Sequence, residues 1–310
     1  MKISLIIPAH ARPDLVARCL RSIADADRPA TLAEIIVVEN GGRLGVADVV
    51  ESFRSQLPVK YCYLEIGNLG KARNHGASIA SGDQLIFIDD DTKVVKGFFL
   101  AYARAYELHG SNCFYGGSLT ADYEAAPPGW LIPYLPNSAR GFDLPNADSV
   151  LLTTPSLLGG NMSIPRALFE RAGRYDSMSA AGTANSGFVG EETRLQLKML
   201  SLGASGVYVG EARVLHWVPA DRCSLDWLLK RRQRSGATDA ETARGARNSA
   251  LGFPAWMLRA WTKDSWQILA ARATGRQVEH YAAPLLHRAY LGGYMAHAMS
   301  RREHVESNLS

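Results

Sequence analysis

Short apolar runs recur through the first part of the chain, and each of them ends at polar side chains. The runs occupy residues 3–9, 35–38, 59–65 and 84–88. Helices are predicted between them, and the first helix has one apolar face, made by Leu15, Val16, Cys19, Leu20 and Ile23. Strands that alternate with helices predict a parallel sheet with helices on both faces. Such sheets bind ligands beyond the carboxyl ends of their strands.

The strongest polar signal follows the last of these runs, where Asp89, Asp90 and Asp91 stand side by side. Clustered carboxylates repel one another unless a cation or hydrogen-bond donors compensate them. A hard divalent cation that also holds a phosphate would do so, whereas a solvated acidic turn would need no ligand. The first two runs end in the same way, at Pro8-Ala9-His10 and at Glu39-Asn40. Since the ends of parallel strands lie at one edge of a sheet, a ligand site is favoured over a solvated turn.

Two classes of nucleotide-binding protein are excluded by the motifs that they require. The first strand is followed by PAHARPD, which lacks the G-x-G-x-x-G turn of a dinucleotide-binding domain. No G-x-x-x-x-G-K-[ST] loop occurs in the chain. Dehydrogenases and nucleoside triphosphatases of these types are therefore excluded.

The composition is that of an ordinary globular protein. The chain has 310 residues, of which 47% are hydrophobic and 21% are charged, so it can bury a large core. Its four cysteines have no C-x-x-C spacing, and neither a zinc site nor a disulfide framework is indicated. No apolar run approaches the roughly 18 residues of a membrane-spanning helix. Pro8 interrupts the start of the chain before a signal peptide can form, and we expect a cytoplasmic protein.

Five segments follow one another between residue 3 and about residue 203. They read LIIPAHARPDLVARCLRSI, EIIVVENGG, GNLGKARNHGASIASGDQLIFIDDDT, LLGGNMSIPRALFERAGRYD and GEETRLQLKMLSLG. In this order they resemble the family-2 glycosyltransferases, nucleotide-sugar enzymes of the GT-A fold. The resemblance implies an α/β protein whose mostly parallel, nucleotide-binding sheet is flanked by helices.

The resemblance also implies a division of the chain and a reaction. Residues 1–223 would form the GT-A catalytic domain, with a donor-binding half at about 1–115 and an acceptor half at about 116–223. Residues 224–310 would form a helical, basic and aromatic C-terminal extension. The reaction would be metal-dependent, inverting transfer of a hexose from a nucleotide-diphosphate sugar, with UDP-sugars expected first, to a hydroxyl of a growing glycan or a lipid-linked saccharide. A sugar-nucleotide nucleotidyltransferase and a non-catalytic sugar-nucleotide-binding protein remain alternatives.

In this family the paired acids of a D-x-D motif lie at the donor, and here they would be Asp89 and Asp91. Asp91 and Asp89 would hold Mg²⁺ or Mn²⁺ on the diphosphate, and His216 would approach the same ion. The donor-binding set implied by the resemblance is Pro8, Ala9, His10, Arg12, Glu39, Asn40, Arg73, Asp89, Asp90 and Asn161. Asn161 follows two glycines that allow a close backbone approach to a ligand, and residues 176–190 would form an acceptor loop.

The catalytic acids implied by the resemblance are Glu191 and Glu192, where the family usually has Glu-Asp. By register, Glu192 would be the base that takes the proton of the acceptor hydroxyl, and Glu191 would be the first acid. The extra methylene of Glu192 adds about 1.5 Å of reach. The alternative is that both acids only favour the start of a helix.

The C-terminal extension is basic, with 13 Lys and Arg against 7 Asp and Glu in residues 224–310. Three arginines could close over the diphosphate as a lid, because guanidinium groups suit phosphate oxygens: Arg222, Arg231 and Arg234. The alternative is a solvated basic helix. A helical apolar stripe is also predicted, made by Phe253, Trp256, Met257, Ala260, Trp261, Ile268 and Leu269. It would lie on an anionic membrane surface, at the inner face of the membrane, or pack on the catalytic domain or on a second subunit. No nucleic acid partner is expected.

Overall fold

The computed structural model describes residues 1–144, 148–176, 190–242 and 252–307. The chain forms two compact units. The first comprises residues 1–122, 137–186 and 190–217, and the second comprises residues 123–136, 187–189 and 218–310. The domain boundary expected after residue 223 stays a prediction.

The predicted α/β fold is confirmed in the first unit. Its strands are β1 Ile3–Ala9, β2 Leu32–Asn40, β3 Val59–Leu64, β4 Gln84–Ile88, β5 Thr92–Val94, β6 Cys113–Tyr123, β7 Asp148–Leu152, β8 Asn161–Pro165 and β9 Ser205–Val218. Its helices are α1 Pro13–Asp25, α2 Val46–Ser52, α3 Leu69–Ile79, α4 Phe98–His109, α5 Asn137–Arg140, α6 Arg166–Arg171 and α7 Glu191–Ser201.

These strands form one sheet in the order β3-β2-β1-β4-β8-β6-β9-β5, and β7 also pairs with β9. The neighbours β3, β2, β1 and β4 are parallel. Antiparallel pairing begins where β8 joins β4, with Asn161 opposite Ile88. The parallel part therefore places the carboxyl ends of β1, β2 and β4 at one edge, as the strand–helix alternation predicts.

Strand β1 shows why these runs form the centre of the sheet. All seven of its residues are buried, because both faces are covered by apolar side chains. Leu5 and Ile7 belong to one core cluster, while Ile6 points into a second cluster. This division follows from the alternation of side chains along a strand.

The second unit is helical, as predicted for the C-terminal extension. Its long helices are α8 Leu225–Thr242, α9 Ala255–Ala273 and α10 Ala282–Ser307. Helices α8 and α10 meet through glycines: a Cβ atom at Gly236 would lie 2.0 Å from the Tyr290 carbonyl oxygen, and one at Gly293 would lie 1.9 Å from the Gln233 carbonyl oxygen. Only residues without a side chain allow this backbone contact.

Helix α9 packs one face against α10. Met257 lies in a cluster with Leu291, Tyr294 and Met295, and Phe253 belongs to the same cluster. None of the described helices combines the length and the apolar character needed to cross a membrane.

Candidate active site

Polar residues from the ends of β1, β2 and β4 come together, as the sequence predicts. The backbone N–H of His10 donates to Asp90 Oδ2 at 3.3 Å, and His10 Nδ1 lies 2.6 Å from the Asn40 carbonyl oxygen. The Asn40 side chain in turn donates to the Ala9 carbonyl oxygen at 2.8 Å. The three strand ends are thus joined by hydrogen bonds around the acidic cluster.

Arg12, in the loop before α1, compensates two of the three aspartates. Its guanidinium donates to Asp91 Oδ2 at 2.8 Å and also pairs with Asp90 Oδ1. Burial raises the pKa of the Asp90 carboxyl to about 7; Arg12 opposes this rise, and the neighbouring carboxylates Asp91 and Asp89 add to it. The cluster is therefore a dense negative centre that needs positive charge.

Three side chains in the described part of the chain are placed to hold a metal ion. The ligand atoms of Asp89, Asp91 and His216 lie within 4.8 Å of one another. His216 stands on β9 opposite Thr92 of β5, and its Nε2 is 3.3 Å from Asp91 Oδ1. Carboxylate oxygens suit Mg²⁺ and Mn²⁺, and an imidazole nitrogen favours the transition metal. The set thus fits a divalent cation such as Mg²⁺ or Mn²⁺.

Arg73 of α3 links the aspartates to helix α7. Its guanidinium donates to Asp89 Oδ1 and to Glu191 Oε1, each at 2.7 Å. Arg73 and Glu191 are both buried, and the Tyr175 ring lies 5.1 Å from the guanidinium carbon. Burial raises the pKa of the Glu191 carboxyl to about 7, although Arg73 opposes the rise. The second oxygen of Glu191 is buried and accepts no hydrogen bond within the described residues.

Glu191 and Glu192 open helix α7 and have different surroundings. Glu191 is buried, whereas Glu192 is partly exposed. Two glycines make room for the acids beside them. A Cβ atom at Gly159 would lie 3.0 Å from the Glu192 Cβ atom, and one at Gly160 would lie 2.6 Å from Asp89 Oδ2. These glycines thus lie against acidic side chains, and their close approach to a ligand stays a prediction.

Comparison with known proteins gives the family. The family model described as "Glycosyl transferase family 2" matches residues 4–173, which make up more than half of the chain. The chain belongs to glycosyl transferase family 2. The succinoglycan biosynthesis protein ExoM of Rhizobium meliloti (strain 1021) is 29% identical over 258 residues, which cover 80% of this chain and 79% of that protein.

Solved structures of low sequence identity share the GT-A fold of this family-2 chain. The mannosyltransferase PcManGT of Pyrobaculum calidifontis, in complex with GDP-Man and Mn²⁺, superposes with a TM-score of 0.57 at 16% identity, over 97% of this chain and 87% of that one. TarS 1-349 of S. aureus, in complex with UDP-GlcNAc, has a TM-score of 0.53 at 15% identity, over 98% and 92% of the two chains.

Two residues predicted to contact the donor are buried in this family-2 chain, and their side chains make hydrogen bonds within the first unit. Asn161 is fully buried. Its amide donates to the carbonyl oxygens of Ser118 and Ala212 at 3.0 and 2.7 Å, and its side-chain oxygen accepts from the Tyr102 hydroxyl at 2.7 Å. Asn161 thus ties its strand to α4, β6 and β9, and its contact with the sugar stays a prediction.

Glu39 is the second of these residues. It is fully buried, and its carboxylate accepts from the Leu44 backbone N–H at 2.7 Å and from the Tyr61 hydroxyl at 2.6 Å. The side chain therefore binds the loop after β2, and its contact with the nucleotide stays a prediction. Burial, and then the hydrogen bond to Glu39, raise the pKa of Tyr61 to about 12.

The remaining predicted residues lie in different environments. Pro8 and Ala9 end β1 with buried side chains, and their contact with a donor stays a prediction. The three lid arginines belong to the second unit, where the Arg231 guanidinium lies 5.5 Å from the Trp227 ring. Closure of Arg222, Arg231 and Arg234 over a diphosphate also stays a prediction. Residues 177–189, most of the expected acceptor loop, lie outside the described residues.

Sequence reasoning missed the residues that support the site from behind. Tyr175 covers the Arg73 guanidinium, and Tyr102 holds Asn161. Asn68 accepts from the Lys71 N–H to cap helix α3, and its own N–H donates to Asn40 Oδ1 at 3.1 Å. Only Asn68 had a local signal, since Asn is a favoured helix cap.

Proposed function

We propose that the chain transfers a hexose, with inversion, from a nucleotide-diphosphate sugar to a hydroxyl group of a glycan or a lipid-linked saccharide. The observation that carries the proposal is the nearness of a metal-ligand set to a partly exposed carboxylate. The adjacent glycines Gly159 and Gly160 lie against Glu192 and Asp89, and Asp89 forms the metal-ligand set with Asp91 and His216. Family membership supports the reaction class.

Asp89, Asp91 and His216 would hold Mn²⁺. A bound divalent cation supplies charge that stabilises the departing diphosphate without proton transfer. Arg12 already lies among the aspartates and is placed to contribute a fork of N–H donors for phosphate oxygens. A UDP-sugar is the first donor to test, since TarS was crystallised with UDP-GlcNAc, and a GDP-sugar is the second, since PcManGT was crystallised with GDP-Man.

Glu192 is the proposed base, for a reason independent of sequence register. A general base must reach the proton that it removes, and Glu192 is partly exposed whereas Glu191 is buried against Arg73. The proposed role of Glu191 is to hold Arg73, and through it Asp89, at the start of helix α7. Glu192 would take the proton of the acceptor hydroxyl as that oxygen attacks the anomeric carbon opposite the diphosphate.

Donor binding is tested by thermal shift with UDP-, GDP-, CDP- and dTDP-sugars, each with and without Mn²⁺. At one hundred times its dissociation constant, a ligand stabilises the native state by about 2.7 kcal/mol. We expect this effect for one nucleotide, only with the metal, and its loss in Asp91→Asn. A full Mn²⁺-dependent shift in Asp91→Asn would contradict the metal assignment.

Catalysis is tested by comparing Glu192→Gln with Glu191→Gln. Loss of a general base lowers turnover by about 100-fold or more, and Glu192→Gln should do so while keeping the donor-induced thermal shift. If Glu192→Gln stays active and Glu191→Gln is inactive, the roles of the two acids are exchanged. Release of pyrophosphate from a nucleoside triphosphate and a sugar phosphate would instead identify a nucleotidyltransferase.

A further inference from the structure

One face of helix α9, its inner face, is buried by packing within the second unit. Its buried residues are Met257, Asp264, Ile268 and Ala271, which recur at helical spacing. Asp264 Oδ2 lies 2.8 Å from His287 Nδ1 of α10. The inner face is thus fixed on the neighbouring helix by apolar contacts and by one hydrogen bond.

The outer face of α9 is unusually apolar for a surface. Trp266 is 73% exposed, Leu269 is 61% exposed and Leu258 is 45% exposed. At 100° per residue these three side chains share one side of the helix. Trp256, farther round the helix, is 55% exposed. The apolar stripe predicted from the sequence is therefore divided: Met257 and Ile268 pack inward, whereas Trp256 and Leu269 face outward.

The charges on this outer face have a single sign. Arg259, Lys263 and Arg272 are exposed, and the only acid in the sequence of α9 is Asp264, which is buried and paired with His287. Arg276, just after the helix, is exposed as well. Large apolar side chains are thus bordered by cations, with no exposed acid on the helix.

We propose that the outer face of α9 binds an anionic lipid bilayer and lies in its interface. Tryptophan rings prefer the headgroup level, and cations near them attract anionic headgroups. A helix with an exposed apolar side bordered by Lys and Arg is suited to lie along the membrane surface without crossing it. Such binding would concentrate the protein where lipid-linked acceptors are found.

A second copy of the chain is a less suitable occupant because of the charge. In a twofold dimer the same surface meets itself, so the cations beside Trp266 would face the same cations of the other copy. Like charges brought together in an interface oppose association. An anionic surface compensates them instead.

The test uses the full chain and vesicles of phosphatidylcholine, alone or with about one third phosphatidylglycerol, at about 50 and about 500 mM salt. We expect the protein to sediment with the anionic vesicles at low salt and to be released at high salt. The Trp fluorescence should shift to shorter wavelength on binding. Each cation removed should weaken binding about fivefold, so Arg259→Gln with Lys263→Gln should weaken it by about twentyfold or more.

A matched pair of variants separates this surface from general stickiness. Lys263→Gln with Trp266→Ser removes one cation and one apolar side chain from α9, and Arg104→Gln with Leu108→Ser does the same on the exposed side of α4. Both pairs lie on the surface and should leave the melting temperature unchanged. Only the α9 variant should lose vesicle binding.

Three results would overturn the proposal. The first is that the full chain does not bind anionic vesicles at low salt. The second is that the α4 control loses binding as much as the α9 variant. The third is that the full chain is a dimer that does not bind vesicles, whereas the α9 variant is a monomer. This result would identify a second copy as the occupant. No nucleotide is present, so the outcome is independent of the proposed transferase activity.

Discussion

Replacement of Arg73 by methionine removes the buried cation that joins Asp89 to Glu191. Glu191 is as deeply buried as Arg73, and it would be left without its partner. Breaking a buried pair in this way costs about 3–5 kcal/mol. Asp89 is partly exposed and can be solvated, so its loss of a partner adds at most about 1 kcal/mol. With about 2–4 °C per kcal/mol for a unit of this size, the melting temperature should fall by about 10 °C.

The double variant Arg73→Met/Glu191→Gln shows whether the pair is the cause. Glu191→Gln alone leaves Arg73 bonded to Asp89 at 2.7 Å, so it should cost less than Arg73→Met. Adding Glu191→Gln to Arg73→Met removes the unpaired carboxylate. The two changes should therefore be non-additive, with a coupling energy of about 2 kcal/mol.

Calorimetry is the right assay, because tryptophan fluorescence would report mainly on the other unit. Of the six tryptophans, only Trp217 belongs to the first unit. Arg104→Met is the control, since Arg104 is exposed and its distance to Glu211 is 3.8 Å. The reasoning fails if Arg73→Met melts like this control, or if the energies of the two single variants simply add.

Two further predictions concern buried polar residues. Burial alone would raise the pKa of Glu34, but hydrogen bonds from Lys60 and from two serines lower it to about 2. The ionised Glu34 therefore stabilises the fold above about pH 4.5. This stabilisation is lost as the pH falls towards 2. Glu34→Gln should cost about 3 kcal/mol at pH 7 and nothing near pH 2, and equal melting temperatures at pH 7 would contradict this. Asn161→Asp should cost about 3 kcal/mol or more, since two carbonyl oxygens would face a carboxylate. An unchanged melting temperature with weaker donor binding would instead support the predicted sugar contact.

The acidic centre could be predicted because it depends on a rule of sheet topology. Apolar runs identify the strands, and parallel strands place their carboxyl ends together. The sequence alone therefore predicts Asp90, His10 and Asn40 at one edge of the sheet. The link between Arg73 and Glu191 could not be predicted, since these residues are far apart in sequence and no local pattern relates them.

Asn161 and Glu39 show the limit of reading residue type at a strand end. A polar side chain at such an end can face a ligand or the interior of the protein. The residues next to Asn161 and Glu39 in the sequence do not show which of the two occurs. The choice is made by distant partners: Tyr102 and Ala212 for Asn161, and Tyr61 for Glu39. Buried polar atoms need such partners, and none of these partners is a neighbour in sequence.

Helix α9 shows a different limit. Its apolar residues occur on nearly all sides, so the stripe predicted from spacing combined residues that face opposite directions. Packing against α10 determines which side of α9 is buried, because Met257 packs in the cluster of Leu291, Tyr294 and Met295. A helical pattern indicates that a helix forms, but the neighbouring helix determines which side is buried.

The adjacent acids of α7 allow one more prediction, Glu192→Asp, which introduces the residue that this family usually has. Successive helical residues point about 100° apart, so Glu192 can be partly exposed while Glu191 is buried against Arg73. Asp would keep the proposed carboxylate base but withdraw it by about 1.5 Å, and a displacement of about 1 Å in a reacting group can lower the rate about 100-fold. We expect turnover to fall by about 10- to 100-fold, with the donor-induced thermal shift unchanged, and a longer acceptor alcohol to recover part of the loss. Unchanged turnover in Glu192→Asp would mean that the extra methylene does not position the base, and a loss as large as that of Glu192→Gln would mean that reach matters as much as the carboxylate itself.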